Sequence, residues 1–352
     1  MAEILYTVSS DLHRVARLEK GKVVELDFEI SSKPASLLGG IFLGRVVEIQ
    51  KPLQDAFVDI GMAKLGLLPL REHKLPPIKQ GDAVMVQVNR TENPMEDKGV
   101  RLTRLITMSL GPLLYTPFKT GLSLSKKHKE REFFKNLFPL QPEEGLIVRH
   151  WALLEESLLN LLFQLRSEWE AVQNQLPVKP PVCLSPAQSL LARVVRSLSA
   201  SDTMLVDDRQ IAVQTKKVSK FVQEKVFDEE CEDAWESLFS SEILLSQGGS
   251  LYIEETRGLV VIDVNSQGAL RHAHPFNRGA IQEALRQIRL RDLGGKIVID
   301  LIDTPKDLSS LLQGLAIPSE LEVSGLSPLG LLEMIRRRKR LSLPSRLKLQ
   351  LN

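Results

Sequence analysis

The sequence predicts an α+β fold made of several domains. The chain has 352 residues, which is enough for two or three domains. Short strands without intervening helices fill its first third, and a strand, a helix and a second strand follow one another near its carboxyl end. Hydrophobic residues make up 43% of the chain and charged residues 26%, which is typical of a globular protein with a substantial core.

The amino-terminal third is predicted to be β-structure. From residue 1 to about 36, apolar and polar residues alternate, which predicts short strands. Beyond the Gly39-Gly40 pair, turn residues separate further short apolar runs, a pattern typical of a small β-barrel. These runs are Ile41–Ile49, Ala56–Ile60, Leu65–Leu68 and Ala83–Val88.

The middle of the chain mixes helices with isolated strands. Prolines between residues 177 and 186 mark a boundary. The predicted elements are a strand at Gly145–Arg149, helices at Glu155–Gln175 and Gln188–Leu198, a strand at Met204–Asp207 and an acid-rich helix at Asp228–Leu238. At the other end of the chain, Leu341–Asn352 is interpreted as a ragged tail.

The most informative region is the strand-helix-strand unit near the carboxyl end. Its aliphatic strands are Gly258–Asn265 and Lys296–Asp303. Between them lies a segment with apolar residues at helical spacing, and the Gly294-Gly295 pair is predicted to stop that helix. The segment runs from Phe276 to Arg291, with Ile281, Leu285 and Ile288 on one face.

This unit places two carboxylates at equivalent points. If the strands are parallel neighbours, Asp263 and Asp300 both lie near the carboxyl edge of the sheet, where open α/β sheets bind their ligands. Two carboxylates there can hold a hard divalent cation. The alternative is that each aspartate only forms a turn or caps a helix.

Composition restricts the function classes only loosely. The net charge of +2 and the pI near 8.4 are too mild to indicate nucleic-acid binding, so local patches would have to provide it. Cys183 and Cys231 show no metal-type spacing and predict no disulfide framework. No apolar run reaches membrane-spanning length, and the polar start does not resemble a signal peptide, so we expect a cytoplasmic protein without a membrane partner.

Three blocks of sequence resemble the catalytic-domain signature of the ribonuclease E/G family. They are Gly248–Ser266, Arg286–Asp303 and Gly330–Arg338. The barrel segment is similar to the OB-fold RNA-binding barrel that interrupts another domain in this family. The resemblance therefore implies an RNase H-like part, interrupted by that barrel and a 5′-sensor region, and then an α/β DNase I-like catalytic domain.

The implied domain bounds follow from this resemblance. They are residues 1–36 for the first RNase H-like part, 37–106 for the barrel, 107–185 for the 5′-sensor-like region, 186–238 for the second RNase H-like part, 239–345 for the catalytic domain and 346–352 for the tail.

The resemblance also implies an activity. It indicates a Mg²⁺-dependent endoribonuclease that cuts single-stranded RNA and leaves a 5′-phosphate and a 3′-hydroxyl. Asp263 and Asp300 match the metal-binding aspartates, and Asn265 matches the asparagine near the scissile phosphate or the attacking water. The alternative is a non-catalytic RNA-binding protein on the same scaffold.

Four further residues match RNA-contacting positions of the family. Phe57 matches an aromatic that stacks on a base, with a place in the barrel core as the alternative. Lys98 and Arg101 match a basic position, with ordinary surface solvation as the alternative. Arg149 matches the arginine of a 5′-monophosphate pocket, for which a guanidinium fork is well suited.

The chain also departs from the family pattern. His150 stands where the family has Thr, and Leu67 stands where it has a second barrel aromatic, so the chain departs from the family at a 5′-sensor position and at a base-stacking position. The helix after Asp303 shortens to about residues 306–315. The Cys-Pro-x-Cys zinc-link motif has no counterpart after the Gly330 block, so we expect no structural zinc and a monomer or homodimer instead of a zinc-linked tetramer.

The basic run Arg336–Arg340 allows two interpretations. It is either a solvated helix end or a contact to the phosphate backbone of RNA.

Overall fold

The computed structural model of the protein describes residues 2–71, 75–94, 96, 98–125, 128, 130–152, 157–199, 201–268, 272–303 and 307–351. The chain folds into two compact units. The split unit combines Met1–Lys33 with Thr203–Asn352, and the inserted unit is Pro34–Asp202. Among the described helices, none is long and apolar enough to cross a membrane.

The elements follow in chain order. The split unit begins with β1 Glu3–Ser9, β2 Leu12–Glu19 and β3 Lys22–Ile30. The inserted unit contains β4 Ile41–Gln50, β5 Asp55–Asp59, β6 Gly66–Pro69, β7 Ala83–Arg90, β8 Arg101–Thr103, β9 Met108–Leu110, β10 Leu113–Thr116, β11 Gly121–Leu124, α1 Arg131–Leu137, β12 Gly145–Val148, α2 Leu158–Gln173, β13 Val182–Ser185 and α3 Leu190–Ser197. The split unit resumes with β14 Thr203–Val206, α4 Arg209–Gln214, β15 Ser219–Phe221, α5 Glu229–Glu236, a 3₁₀ turn at Ser237–Phe239, β16 Glu242–Leu244, β17 Ser250–Glu255, β18 Leu259–Asn265, α6 Ala273–Leu290, β19 Gly295–Asp300, α7 Leu308–Leu312, β20 Leu321–Leu326, β21 Leu332–Arg336 and α8 Leu343–Leu351.

The predicted small barrel is confirmed in the inserted unit. Strands β4, β5, β6, β8 and β7 pair in that order, and β4 also pairs with β7, which closes the barrel. Its interior is packed with fully buried aliphatic residues, among them Val58, Leu68, Val86 and Leu102. Gly44 is needed where strands approach closely, because a Cβ there would lie 2.5 Å from the Val58 side chain.

A second sheet of the inserted unit has the order β11-β12-β10-β9. The predicted strand at residue 145 is confirmed as β12, and the predicted long helix is α2, although residues 153–156 lie outside the described part. The helix packs its apolar face on this sheet through Leu162, Leu165 and Trp169.

The first sheet of the split unit joins distant parts of the sequence. Its order is β15-β14-β1-β2-β3, and β1 pairs in parallel with β14, so that Glu3 faces Thr203. This sheet therefore combines three strands from the start of the chain with two strands that follow the inserted unit.

The second sheet of the split unit has the order β16-β17-β18-β19-β21-β20. Strands β18 and β19 are parallel and in register, which confirms the predicted strand-helix-strand unit. One face of this sheet is covered, because α6 packs Ala280, Ile281, Ala284 and Ile288 into the same buried cluster as the inward side chains of the strands. The opposite face carries the polar side chains described below.

The end of α6 differs from the sequence prediction. The helix stops at Leu290, before the glycine pair, and Asp292 adopts a left-handed conformation with φ of 50°. The amide of Leu293 donates to the Ile288 carbonyl at 3.0 Å, and the amide of Asp292 donates to the Arg289 carbonyl at 3.1 Å. This is a Schellman ending in which an aspartate takes the place usually held by glycine.

Two interpretations of the carboxyl end are wrong. The supposed ragged tail is largely helix α8, whose Leu343 and Leu347 are fully buried. The basic run is not a helix end, because Arg336 closes strand β21. Arg336 and Arg340 both form ion pairs with Asp292.

One helix in this region is also shorter than predicted. The helix after Asp303 covers only Leu308–Leu312, and residues 304–306 lie outside the described part.

Candidate functional site

Asp263 and Asp300 lie side by side on the open face of the second sheet. They are direct partners in the parallel β18–β19 ladder, where neighbouring strands run about 4.8 Å apart. Successive side chains of a strand point to opposite faces, and the neighbours Ile262 and Ile299 are fully buried against α6. The two carboxylates are therefore directed away from the core, and both are exposed.

Asn265 belongs to the same face because it follows Asp263 by two residues. Its Oδ1 accepts a hydrogen bond of 2.9 Å from the backbone amide of Gln267. That bond orients the side-chain amide and leaves its NH₂ group as the remaining donor. The asparagine thus offers a neutral donor next to two anionic acceptors.

The carboxylates of Asp263 and Asp300 have no partner among the residues that the structure describes. Within the described part of the chain, neither aspartate side chain makes a hydrogen bond or an ion pair, and neither caps a helix. The turn-or-cap alternative therefore does not describe them. Two adjacent carboxylates without a cationic partner make a local negative charge that an external cation can neutralise.

The donor set limits which cation fits. Among the described residues there is no group of three or more His, Cys, Asp or Glu side chains that could hold a metal ion. The available protein ligands are the carboxylate oxygens of Asp263 and Asp300. This small oxygen set fits a cation that keeps several of its waters, and it fits poorly with tetrahedral zinc sites, which use nitrogen and sulfur ligands.

Tyr252 stands on the other side of Asp263 and was missed by the sequence analysis. It is the antiparallel partner of Asp263 in the β17–β18 ladder. Together with Glu254, Val261 and Asp263 it lines an open depression of about 370 Å³. The alternation along β17 places Tyr252 outward, but only the pairing of β17 with β18 brings it beside Asp263.

The hydroxyl of Tyr252 is held by a carboxylate of the next strand. It donates to Oε1 of Glu242 at 2.7 Å, and Glu242 is its partner in the β16–β17 ladder. This hydrogen bond raises the pKa of Tyr252 and lowers the pKa of Glu242. The tyrosine therefore remains a neutral donor through the ordinary pH range.

In the inserted unit, Phe57 lies on the outer surface of the barrel. Its neighbours Ala56 and Val58 are fully buried, whereas Phe57 is half-buried, so the core alternative for this residue is wrong. The strand register sets Phe57 beside Leu67, and Leu67 beside Arg101. A ring, an aliphatic side chain and a guanidinium thus form one row across three strands.

Lys98 and Arg101 are both exposed on the barrel. The side chain of Lys98 is 77% exposed and lies 3.8 Å from the carboxylate of Glu96, a contact that solvent screens strongly. Arg101 also faces Arg90 in the β7–β8 ladder. The arginine end of the Phe57 row is therefore positive, whereas the partner of Phe57 in the β4–β5 ladder is the exposed Glu48.

Arg149 follows β12 and is half-buried. Its guanidinium donates to the Gly111 carbonyl at 3.4 Å, and its own carbonyl lies 2.8 Å from Nε2 of His128. His150, the residue that departs from the family pattern, is exposed. The arginine is thus partly engaged with the protein backbone.

These features define a class of protein: a multidomain α+β protein with a closed β-barrel and a two-carboxylate site on an open sheet face. A family model described as the Ribonuclease E/G family matches residues 111–339, and the chain belongs to this family. The chain is 29% identical to Ribonuclease G of Salmonella typhimurium, over 96% of this chain and 80% of that protein.

Ribonuclease E proteins are similar to a comparable degree. The chain is 30% identical to Ribonuclease E of Haemophilus influenzae over 92% of this chain, and equally so to Ribonuclease E of Escherichia coli. It spans 40% and 36% of those two proteins, respectively. The similarity to the ribonuclease E proteins therefore concerns less than half of their length.

Proposed function

We propose that this chain is an endoribonuclease that cleaves single-stranded RNA with the help of Mg²⁺. The observation that carries the proposal is the register pair of Asp263 and Asp300, exposed and without a partner among the described residues. Membership of the Ribonuclease E/G family supports the choice of RNA as the substrate.

Asp263 and Asp300 would hold the Mg²⁺ ion. Mg²⁺ is usually bound by one or two carboxylates together with waters and substrate phosphates, which fits the two oxygen-bearing side chains. When bound, the ion would supply charge neutralisation at the phosphate and an activated water. The two aspartates fix the place on the sheet where the scissile phosphate must lie.

Asn265 would act on the substrate directly. With its Oδ1 engaged by Gln267, its NH₂ group can donate to a phosphoryl oxygen or to the attacking water. A donor aimed at developing negative charge favours the transition state over the ground state. We propose that attack by water leaves the phosphate on the 5′ side of the downstream product and a 3′-hydroxyl on the upstream product.

The inserted unit would contribute binding to RNA. Phe57 offers a half-exposed ring for stacking on a base, and Lys98 and Arg101 offer charge to the phosphate backbone. Arg149 would bind a 5′-monophosphate through its guanidinium, which matches the geometry of a terminal phosphate.

Incubation with end-labelled RNA tests this proposal. Purified protein should cut a 5′-labelled single-stranded RNA in Mg²⁺ and stop cutting in EDTA. A zinc-selective chelator should leave the activity unchanged, because no structural zinc is expected. The upstream product should accept poly(A) tailing at its 3′-hydroxyl, and the downstream product should be degraded by a 5′-monophosphate-dependent exonuclease.

The alternative is a non-catalytic RNA-binding protein on the same scaffold. RNA binding without any Mg²⁺-dependent cleavage would support that alternative and reject the nuclease.

Two further predictions concern the state of the protein. Sedimentation of the purified protein tests the prediction of a monomer or homodimer. A cytoplasmic location is also a prediction.

A further inference from the structure

Four side chains form a single row across the open face of the second sheet. Glu242 pairs with Tyr252, Tyr252 with Asp263, and Asp263 with Asp300, on the successive strands β16, β17, β18 and β19. Cross-strand partners of this kind have Cβ atoms about 5 Å apart. The carboxylate pair therefore has a tyrosine ring as its immediate neighbour.

Tyr252 is held in place by its surroundings. Glu242 accepts from the Tyr252 hydroxyl at 2.7 Å and also accepts from Nε2 of Gln267 at 3.2 Å. The same Nε2 donates to the Ser250 hydroxyl at 3.0 Å, while the backbone amide of Gln267 donates to Asn265. One short network thus links the orientation of the tyrosine to the orientation of Asn265.

The depression beside Asp263 combines two kinds of surface. Val261 and the ring of Tyr252 supply apolar area, and the carboxylates of Glu254 and Asp263 supply the polar part. A nucleotide has the same two parts, an aromatic base and an anionic phosphate. Proteins commonly bind single-stranded RNA by stacking a base on an aromatic side chain and contacting the adjacent phosphate.

We propose that Tyr252 contacts the substrate, with its ring packed against the base or ribose of the nucleotide next to the scissile phosphate. Glu242 and Gln267 are positioning residues that fix this ring and Asn265 together. The inference rests on the proposed function, because it takes the carboxylate pair as the place of the phosphate.

Photo-cross-linking tests the contact without relying on catalysis. Single-stranded RNA carrying 5-iodouridine is irradiated with the Asp300→Asn protein, which is expected to bind RNA without cutting it, and with the wild-type protein in EDTA. We expect a peptide containing Tyr252 to carry the cross-link, and Tyr252→Val to lose it. Cross-links that map only elsewhere would overturn the inference.

Kinetics then separate substrate contact from support of the sheet. Tyr252→Ala should raise KM by about 10-fold, within the range of one lost stacking contact, and flatten the base preference beside the cut. Tyr252→Phe keeps the ring and should retain that preference. Glu242→Ala removes the acceptor of the Tyr252 hydroxyl, so it should raise KM through the ring and reduce kcat through Asn265. The exposed Glu322→Ala on the same sheet is the matched control.

The two proposals fail in different ways. If the wild-type protein shows no Mg²⁺-dependent cleavage, the nuclease proposal fails, while the cross-link still reports whether RNA touches Tyr252. If the wild-type protein cleaves RNA and Tyr252→Ala has wild-type KM and base preference with an unchanged melting temperature, only the role of Tyr252 is rejected.

Discussion

Two pairs of aspartates in the split unit have opposite surroundings. Asp263 and Asp300 are exposed and make no ion pair among the described residues. Asp27 and Asp292 have side chains only 15% and 20% exposed, and each of them contacts two arginines. The arginine nitrogens lie 2.7 to 3.0 Å from the carboxylate oxygens, in the pairs Asp292–Arg336, Asp292–Arg340, Asp27–Arg340 and Asp27–Arg346.

The difference in burial and pairing fits a structural role for Asp27 and Asp292 and the chemical role that we propose for Asp263 and Asp300. A buried carboxylate must be neutralised by the protein itself, because its removal from water is costly. An exposed carboxylate pair carries no such requirement and can wait for a cation from solution. We therefore expect substitutions in the first pair to change activity and substitutions in the second pair to change stability.

The largest effect is expected at the exposed pair. Asp263→Asn or Asp300→Asn removes one anionic metal ligand at nearly constant size, so cleavage should fall by at least about 1,000-fold, which corresponds to several kcal/mol of transition-state stabilisation. The melting temperature should stay close to wild type. Wild-type turnover of either variant at low millimolar Mg²⁺ would mean that the carboxylates hold no essential ion.

The buried pair should give the opposite result. Asp292→Asn removes an anionic partner from both Arg336 and Arg340, of which Arg340 keeps Asp27 and Arg336 keeps only a longer contact to Glu320. We expect the free energy of unfolding to fall by about 3 kcal/mol. Urea unfolding measures this change. Below the unfolding transition the variant should still cut RNA, and a specific loss of kcat with unchanged stability would contradict the division proposed between the two pairs.

Low pH should reduce the contribution of the buried aspartate Asp292 to the free energy of unfolding. Burial alone would raise the pKa of Asp292, but Arg340 and Arg336 lower it below its ordinary value of 3.8. Because the folded pKa lies below the unfolded pKa, the stabilisation is complete above the unfolded value and is lost as pH falls through the folded value. Urea midpoints measured from pH 6 to pH 2.5 should fall more steeply for wild type than for Asp292→Asn.

In the inserted unit, Phe57 is a neutral side chain that, like the exposed aspartate pair, lies outside the core and is expected to affect activity more than stability. Phe57→Ala should weaken RNA cleavage by roughly one to two orders of magnitude, following the energy of one stacked base. Circular dichroism should show an intact barrel, because the ring lies outside the core. Unchanged cleavage by Phe57→Ala would exclude a stacking role for the ring. As a second test, Leu67→Phe adds a ring beside Phe57 and is expected to strengthen RNA binding.

The smallest effect is expected at Arg149, because its guanidinium already donates to the Gly111 carbonyl. The contact to Gly111 leaves fewer donors for a terminal phosphate, so we expect only a several-fold preference for 5′-monophosphorylated over 5′-hydroxyl RNA. Rates on the two RNAs should become equal in Arg149→Ala. Equal rates with the wild-type protein would show that 5′ ends are not sensed.

Local pattern was sufficient for much of the fold. Alternation and turn residues predicted the strands of the barrel, and aliphatic runs around a helical segment predicted β18, α6 and β19. The sequence analysis expected Asp263 and Asp300 at one edge on the condition that their strands are parallel neighbours, and the β18–β19 ladder meets that condition. These predictions succeeded because each depends on residues close together in the sequence.

Other features depend on contacts that the local pattern does not contain. Helix α8 was taken for a tail, since its weak apolar spacing indicates a core helix only once Leu343 and Leu347 meet the first sheet of the split unit. The predicted end of α6 at Arg291 was right to within one residue, but its stop was assigned to the Gly294-Gly295 pair, whereas Asp292 takes the left-handed position and its carboxylate contacts Arg336 and Arg340. In both cases a long-range partner outweighed the local preference.

The sequence by itself identified the side chains that we propose to carry the chemistry of this protein: Asp263, Asn265 and Asp300, each close to the end of a predicted strand. Only the tertiary structure decided what stands beside them. Tyr252 and Glu242 join the row because β16, β17 and β18 pair in one particular register, and a shift by one residue would turn each of them to the other face. The register depends on how the whole sheet packs, so local spacing in the sequence could not reveal that Tyr252 lies beside Asp263.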